Sequence, residues 1–318
     1  MALPFSTPAL DPYISLGVAG FIATSYVGSL YLFKSTRLVF AAPDPNASQG
    51  EQERQRQEGE QWRNDPKVIR ARLTAVTLST LLSCAIVGGL VWNACKRDNE
   101  LAFRTTLQLL GFGADAQTVL PHLLTPLLFT GPLYVALLEQ SLLPFQHKWL
   151  GLRLFTNWHG FRNYIAGPVT EELNFRACVT AVVLLGGWRG GALVFIAPLS
   201  FGIAHLHHWW DIYNRYGRNS DAVRRATITT LVQFAYTTLF GIFCTFLLLR
   251  TGSVLAPLTS HVFCNIMGLP SPGWAAQKHP NLKALIWLAH VAGIVGFGLL
   301  LWPWSEPTTG GRYYWNFS

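Results

Sequence analysis

Long uncharged runs separated by polar connections divide the chain. The first, Tyr13 to Phe33, holds 21 residues without a charge, enough to cross about 30 Å of hydrocarbon as a helix. No basic segment precedes it and no small-residue cleavage site closes it, so a retained helix is expected rather than a signal peptide. Leu73 to Asn93 is the second run. The third, roughly Val119 to Leu138, contains Pro121, Pro126 and Pro132, which imply kinks or a re-entrant path. Asn163 to Gly187 is the fourth, and Gly191 to His205 the fifth, short and interrupted by Pro198. Thr227 to Leu249, Val254 to Leu269 and Leu282 to Trp302 complete the series. The pattern predicts an all-α polytopic membrane protein of about eight transmembrane helices around a cytoplasm-facing polar cavity. Seven is the alternative, because the third and fifth runs are the weakest.

The connections add little folded mass. Lys34 to Arg72 is polar and rich in Gln, Glu and Arg, and Asn46 to Arg56 within it has the composition of disorder, so it reads as a solvated linker. With no internal repeat and no second soluble domain, residues 1–318 read as a single transmembrane domain. Its polar loop covers about 34–72 and its chemical core about 162–267.

Composition agrees with a membrane setting. Half the residues are hydrophobic, 13% are charged, and Trp and Phe together number 32, well above an ordinary soluble domain. The net charge of +8 is no nucleic-acid signature, since the basic residues sit in connections and form no stripe. Cys84, Cys95, Cys178, Cys244 and Cys264 are odd in number and lack CxxC spacing, so neither a disulfide framework nor a thiolate metal site is expected. With eight crossings, the connections after runs one, three, five and seven carry 17 Lys and Arg against 6 on the other side, with Arg176 inside a run. The positive side is therefore expected to be cytoplasmic, with both termini opposite.

Glu171, Glu172 and Arg176 stand inside the fourth run. A charge at bilayer depth costs at least about 2.5 kcal/mol, so such residues usually face a protein-lined cavity and act there. On a helix Glu172 and Arg176 lie about 40° apart, the spacing of an ion pair, whereas Glu171 points about 100° away from Glu172. One carboxylate is neutralised by its own helix. The other needs a partner from another helix or a water, as a general base does. A buried polar knot joining helices explains this one motif equally well.

Two further constellations favour chemistry. Phe201-Gly-Ile-Ala-His205 ends the fifth run, and His261-Val-Phe-Cys-Asn265 lies in the seventh, with His261 and Asn265 on one helical face. Counting about 1.5 Å per residue from the cytoplasmic side places Glu171 roughly 12 Å deep and His261 at a similar depth. Asn265 and His205 are shallower, and all four can converge on one cavity. His207, His208, Trp209 and Trp210 read as an interfacial belt.

The ordered set Glu171-Glu172-x-x-x-Arg176, Phe201-x-x-x-His205 and His261-x-x-x-Asn265 resembles the type II CAAX prenyl endopeptidases, the Ras-converting glutamate-type intramembrane proteases of the endoplasmic reticulum. The likeness spans about Arg162 to Met267, and the wording around Glu171 is closest to the eukaryotic members. It implies removal of the C-terminal tripeptide from farnesylated or geranylgeranylated CAAX proteins such as Ras-type small GTPases, at a multi-pass endoplasmic reticulum membrane, with the active site toward the cytoplasm. Glu171 and His205 would activate a water, His261 and Asn265 would bind the oxyanion, and Glu172 and Arg176 would support them. Membrane lipid is an expected partner and nucleic acid is not.

Other chemistries fit less well. His-Glu-x-x-His, Gly-x-Ser-x-Gly and Tyr-Asp are absent, and Gly111-Phe-Gly-Ala-Asp115 misses Gly-x-Gly-Asp by one residue. Cys178 and Cys264 adjoin the motifs but lie in apolar runs, where a thiol is inert packing. No cofactor is expected, although Glu171, His205 and His261 leave a zinc ion open. A transporter with an intramembrane relay, or a non-catalytic scaffold, uses the same polar cluster. A transporter would show a repeat relating two halves, and none is visible.

Overall fold

The computed structural model describes residues 3–6, 8–42, 53–113, 119–141 and 157–306, and all named elements within them are helical. Helix α1 (Pro12–Leu32) starts at Asp11, whose carboxylate accepts from the Tyr13 and Ile14 amides at 2.9 and 3.1 Å, with Pro12 at its first position. Helix α2 (Pro66–Ala94) follows the polar connection, and α3 (Asn99–Leu109) is capped by Asp98. The Pro-rich third run forms two helices, α4 (Leu120–Leu128) and α5 (Thr130–Leu138), bent 62° from each other.

The fourth run is helix α6 (158–185), in which ordinary α turns alternate with two π segments, Arg162–Ala166 and Glu172–Cys178. Helix α7 (Gly190–Ala204) continues through a 3-10 turn, His205–His207, into α8 (His208–Arg215). Helices α9 (Ser220–Thr251) and α10 (Leu255–Met267) precede a short α11 (Pro272–Lys278) and the last long helix, α12 (Lys283–Trp304).

All eight apolar runs are thus helical, but they do not all have spanning length. Among the described residues five stretches are long and apolar enough to cross a bilayer: Pro12–Leu32, Pro66–Ala94, Gly190–Arg215, Ser220–Thr251 and Pro280–Trp304. The bent α4–α5 pair makes a sixth if it is one span. The 13 residues of α10 rise only about 20 Å, short of a bilayer core, and α6 is broken by its π turns.

The C-terminal half of α6 is the centre of the bundle. Every residue of Val179–Leu185 is buried, packed by α1, α2 and α7 with Ile22, Val87 and Leu193 fully enclosed. A second layer, α9 against α7, completes the wall, and α12 covers α4 and α5. Hydrophobic side chains such as Leu81, Phe195, Leu231 and Leu299 face outward, as the lipid-exposed surface of a membrane protein requires. Gly202 allows α7 to approach α9: a Cβ there would lie 2.1 Å from Thr238 Oγ1 and 3.1 Å from Phe234 Cε2.

The polar connection is more ordered than its composition suggests. Residues 46–52 of the expected linker lie outside the described residues, but Glu53–Arg56 is not a free solvated chain. The Arg54 amide donates to Arg215 O at 2.9 Å, its Nε donates to Asn214 O at 2.9 Å, and Arg215 pairs with Glu53. Buried Glu60 gathers the segment: it pairs with Arg54 and accepts from the Ala41 amide at 2.7 Å, the Gln57 amide at 3.0 Å and Trp62 Nε1 at 2.8 Å. Charge-assisted bonds to buried groups supply order that composition alone does not reveal. Burial acts to raise the Glu60 carboxyl, but these donors outweigh it and hold it at about 2.

Two outcomes follow from this packing. Gly202→Val should lower the thermal midpoint in detergent, with a loss of about 1–3 kcal/mol, whereas a polar change at outward-facing Leu231 should leave α7 and α9 in contact. Because the folded Glu60 value lies below its ordinary 4.5, its stabilisation is complete above about pH 4.5 and disappears as pH falls toward 2. Hydrogen exchange of residues 53–65, corrected for intrinsic rates, should show that loss. Glu60→Gln should already lack the protection at neutral pH.

Candidate active site

Helix α6 presents its polar residues through distorted turns. The Gly167 amide donates to Arg162 O and the Val179 amide to Asn174 O, each five residues back, the widened ladder of a π turn, a feature frequent at functional sites. Gly167 suits this turn because a Cβ would lie 2.5 Å from Arg162 O. Thr170 is fixed by Tyr26 of α1, hydroxyl to hydroxyl at 2.9 Å, and Asn174 accepts from Ser83 of α2 at 2.9 Å. Neighbouring helices thus set the rotation of α6.

Three of the polar side chains are deeply enclosed. Glu172 is 0% and Arg176 1% exposed, and they form the expected pair at 3.3 Å between Oε2 and Nε. The Arg176 guanidinium also lies 3.7 Å from the Phe201 ring centroid and 5.6 Å from that of Phe240, so cation–π attraction supplements the ion pair. His261 approaches from α10: its Nδ1 lies 2.6 Å from Glu172 Oε1 and its Nε2 3.6 Å from Glu171 Oε2. The carboxylates do not diverge onto unrelated surroundings, as an ideal helix suggests; both meet one imidazole.

His205 and Asn265 are placed by backbone contacts. His205 Nδ1 lies 2.7 Å from Phe201 O; a carbonyl only accepts, so Nδ1 carries the proton and the neutral ring keeps its lone pair on Nε2. Phe201 stands between the two histidines, its centroid 4.5 Å from that of His205 and 6.3 Å from that of His261. Asn265 Nδ2 donates to Asn163 O at 2.8 Å, tying α10 to the start of α6. Glu171, His205, His261 and Asn265 all line one cavity of about 760 Å³.

Residues 153–267 match the family described as Type II CAAX prenyl endopeptidase Rce1-like. The human CAAX prenyl protease 2 is 32% identical over 96% of this chain and 85% of its own length. Its Schizosaccharomyces pombe counterpart, probable CAAX prenyl protease 2, is 33% identical over 80% of each chain. CAAX prenyl protease 2 of Arabidopsis thaliana is 42% identical over 46% of this chain and 44% of its own. The chain belongs to the type II CAAX prenyl endopeptidase family. No solved structure matches it.

Within this family frame, the structure adds residues that no motif marked. Arg63, Arg72 and Arg162 line the same cavity as Glu171, although they come from a loop, the first turns of α2 and the first π turn of α6. Their sequence context is merely basic, and only tertiary packing brings them together. His207 and His208 also line it, in contact with each other at 4.1 Å between ring centroids. Cys178 is fully buried against Cys84 at 3.7 Å, and all five cysteines are free; Cys264 lines the cavity. Among the described residues no three His, Cys, Asp or Glu side chains are grouped so as to hold a metal ion.

The buried pair and the cavity carboxylate should respond differently to removal. Glu172→Ala strands a buried guanidinium, so the folded protein should lose about 3–5 kcal/mol, and Glu172→Ala combined with Arg176→Leu should recover part of it. Glu171, whose side chain is 26% exposed, should tolerate Ala with a midpoint near wild type. Thermal melts of the three variants in detergent test this ordering.

Proposed function

We propose that this protein removes the C-terminal tripeptide from prenylated CAAX proteins by a metal-free, water-mediated attack centred on Glu171. The observation that supports the reading best is the meeting of three helices at one cavity, where His261 is bracketed by Glu171 and Glu172. The relatives named CAAX prenyl protease 2 supply the substrate class.

In this scheme Glu171 takes a proton from a water whose second hydrogen is accepted by His205 Nε2. The hydroxide attacks the carbonyl carbon of the prenylated cysteine, and the π electrons move onto oxygen. His261, oriented by the contact of its Nδ1 with Glu172, donates from Nε2 to that oxyanion, together with the Asn265 N–H not bound to Asn163. Collapse of the tetrahedral intermediate breaks the C–N bond as Glu171 returns its proton to the leaving amine. Glu172 and Arg176 touch no reacting atom; they hold His261 and the turn beneath Glu171. Phe201, Phe240 and Phe243 line the cavity and suit an isoprenoid chain. Ras-type GTPases are the natural substrates in this reading, met at the cytoplasmic face of the endoplasmic reticulum membrane, where the basic connections also favour anionic lipid.

Purified protein in detergent should release the tripeptide from a farnesylated Cys-a-a-X peptide, and Glu171→Gln should abolish release while staying folded. Asn265→Ala should lower kcat about 100- to 1,000-fold, as loss of an oxyanion donor does, with a smaller change in KM. Activity unchanged by a strong chelator supports the metal-free scheme. Inhibition reversed by added zinc replaces it with a zinc site at Glu171, His205 and His261. A folded wild type inert toward several prenyl peptides returns the polar cluster to a transport or scaffold role.

A further inference from the structure

Three arginines, Arg63, Arg72 and Arg162, line the active-site cavity. Among the described residues no ion pair includes Arg63, Arg72 or Arg162. Asp211, the nearby acid, meets Arg215 through Oδ2 at 3.5 Å, while its Oδ1 is buried without a hydrogen-bond partner. Arg72 is 8% exposed; its Nε donates to Thr36 O at 2.8 Å, and its Nη2 is buried with no hydrogen-bond partner. Arg162 acts as a strut: Nε donates to Asn163 Oδ1 at 2.9 Å, and Nη1 to Arg63 O at 3.1 Å and Asn64 Oδ1 at 3.2 Å. It thereby fixes the backbone that carries Arg63. Burial pulls the Arg63 guanidinium down from its ordinary value, against the opposing attraction of Asp211 and Glu171.

An enclosed donor with no partner and a local excess of positive charge describe an anion site. The separation of its Arg162 strut from Glu171 along α6 bears on the size of the anion. Arg162 precedes Glu171 by nine residues (171 − 162) on α6, about 13 Å along the axis. Three extended residues reach about 10 Å, and an arginine side chain closes the remainder. We propose that Arg63 and Arg72, with Arg162 positioning them, bind the C-terminal carboxylate of the substrate and so measure the three residues that are removed. This rests on the protease reading above. A lipid phosphate offers similar chemistry; the enclosure of Arg72 beside the cavity that holds Glu171 favours a peptide terminus, and the assays separate the two.

The test compares farnesylated Cys-a-a-X peptides ending in a free carboxylate or a carboxamide, cleaved by wild type, Arg63→Gln, Arg72→Gln and Arg72→Lys. The assays use phosphatidylcholine micelles with and without phosphatidylserine. Wild type should prefer the acid by about 10- to 100-fold in kcat/KM, chiefly through KM, as loss of a charge-assisted hydrogen bond predicts. Either Gln variant should lose that preference on the acid while cleaving the amide at the wild-type rate, and Arg72→Lys should retain part of it. Equal cleavage of acid and amide by wild type overturns the proposal and leaves the protease reading intact. Equal losses on both peptides assign the arginines to structure and overturn it. So does an arginine effect seen only with phosphatidylserine, which assigns the site to a headgroup. Failure to cleave either peptide overturns the protease reading itself.

Discussion

The organisation of this protein depends on a guanidinium and a carboxylate kept out of both water and lipid. Glu172 and Arg176 are one turn apart on α6 and almost fully enclosed, a setting in which an unpaired charge is strongly destabilising. The pair therefore needs a shell, and the shell is made of other helices: Phe201 from α7, Phe240 from α9 and His261 from α10. Each supplies a different compensation, a ring face for the cation or a ring nitrogen for the anion. Satisfying one buried pair thus fixes the relative placement of four helices.

That placement serves the cavity as well as stability. His261 belongs to both, with Nδ1 on the buried carboxylate and Nε2 toward Glu171 at the cavity wall. In the proposed scheme this contact orients His261 for the developing oxyanion, the way preorganised electrostatics act in enzymes. The π turns of α6 belong to the same design. They widen the helix where its polar residues emerge, and side chains of α1 and α2 hold them through Thr170 and Asn174.

The cavity is lined by charges of both signs. Glu171 and the histidines share it with Arg63, Arg72 and Arg162, which come from the polar connection, α2 and the beginning of α6. The connection earns its order through Glu60, whose four donors bind residues 53–65 to α8 and to Ala41. A loop that reads as solvent-exposed from its composition is in this way part of the site's wall.

The sequence by itself determined that the chain is an α-helical membrane protein, that eight apolar runs are helical, and that Glu171, Glu172, Arg176, His205, His261 and Asn265 belong to one family pattern. Hydrophobic runs and rare intramembrane charges are local signals, and local signals survive in a one-dimensional reading. Tertiary structure decided what depends on approach between distant segments. It made α10 short and α6 a π-broken helix, directed both carboxylates to His261, and turned Asn265 toward Asn163 O. It also brought Arg63, Arg72 and Arg162 to the cavity. The physical reason is common to all of these: a helix ideal in isolation yields its regular turn, and a basic loop its solvation, when buried charges elsewhere must be compensated.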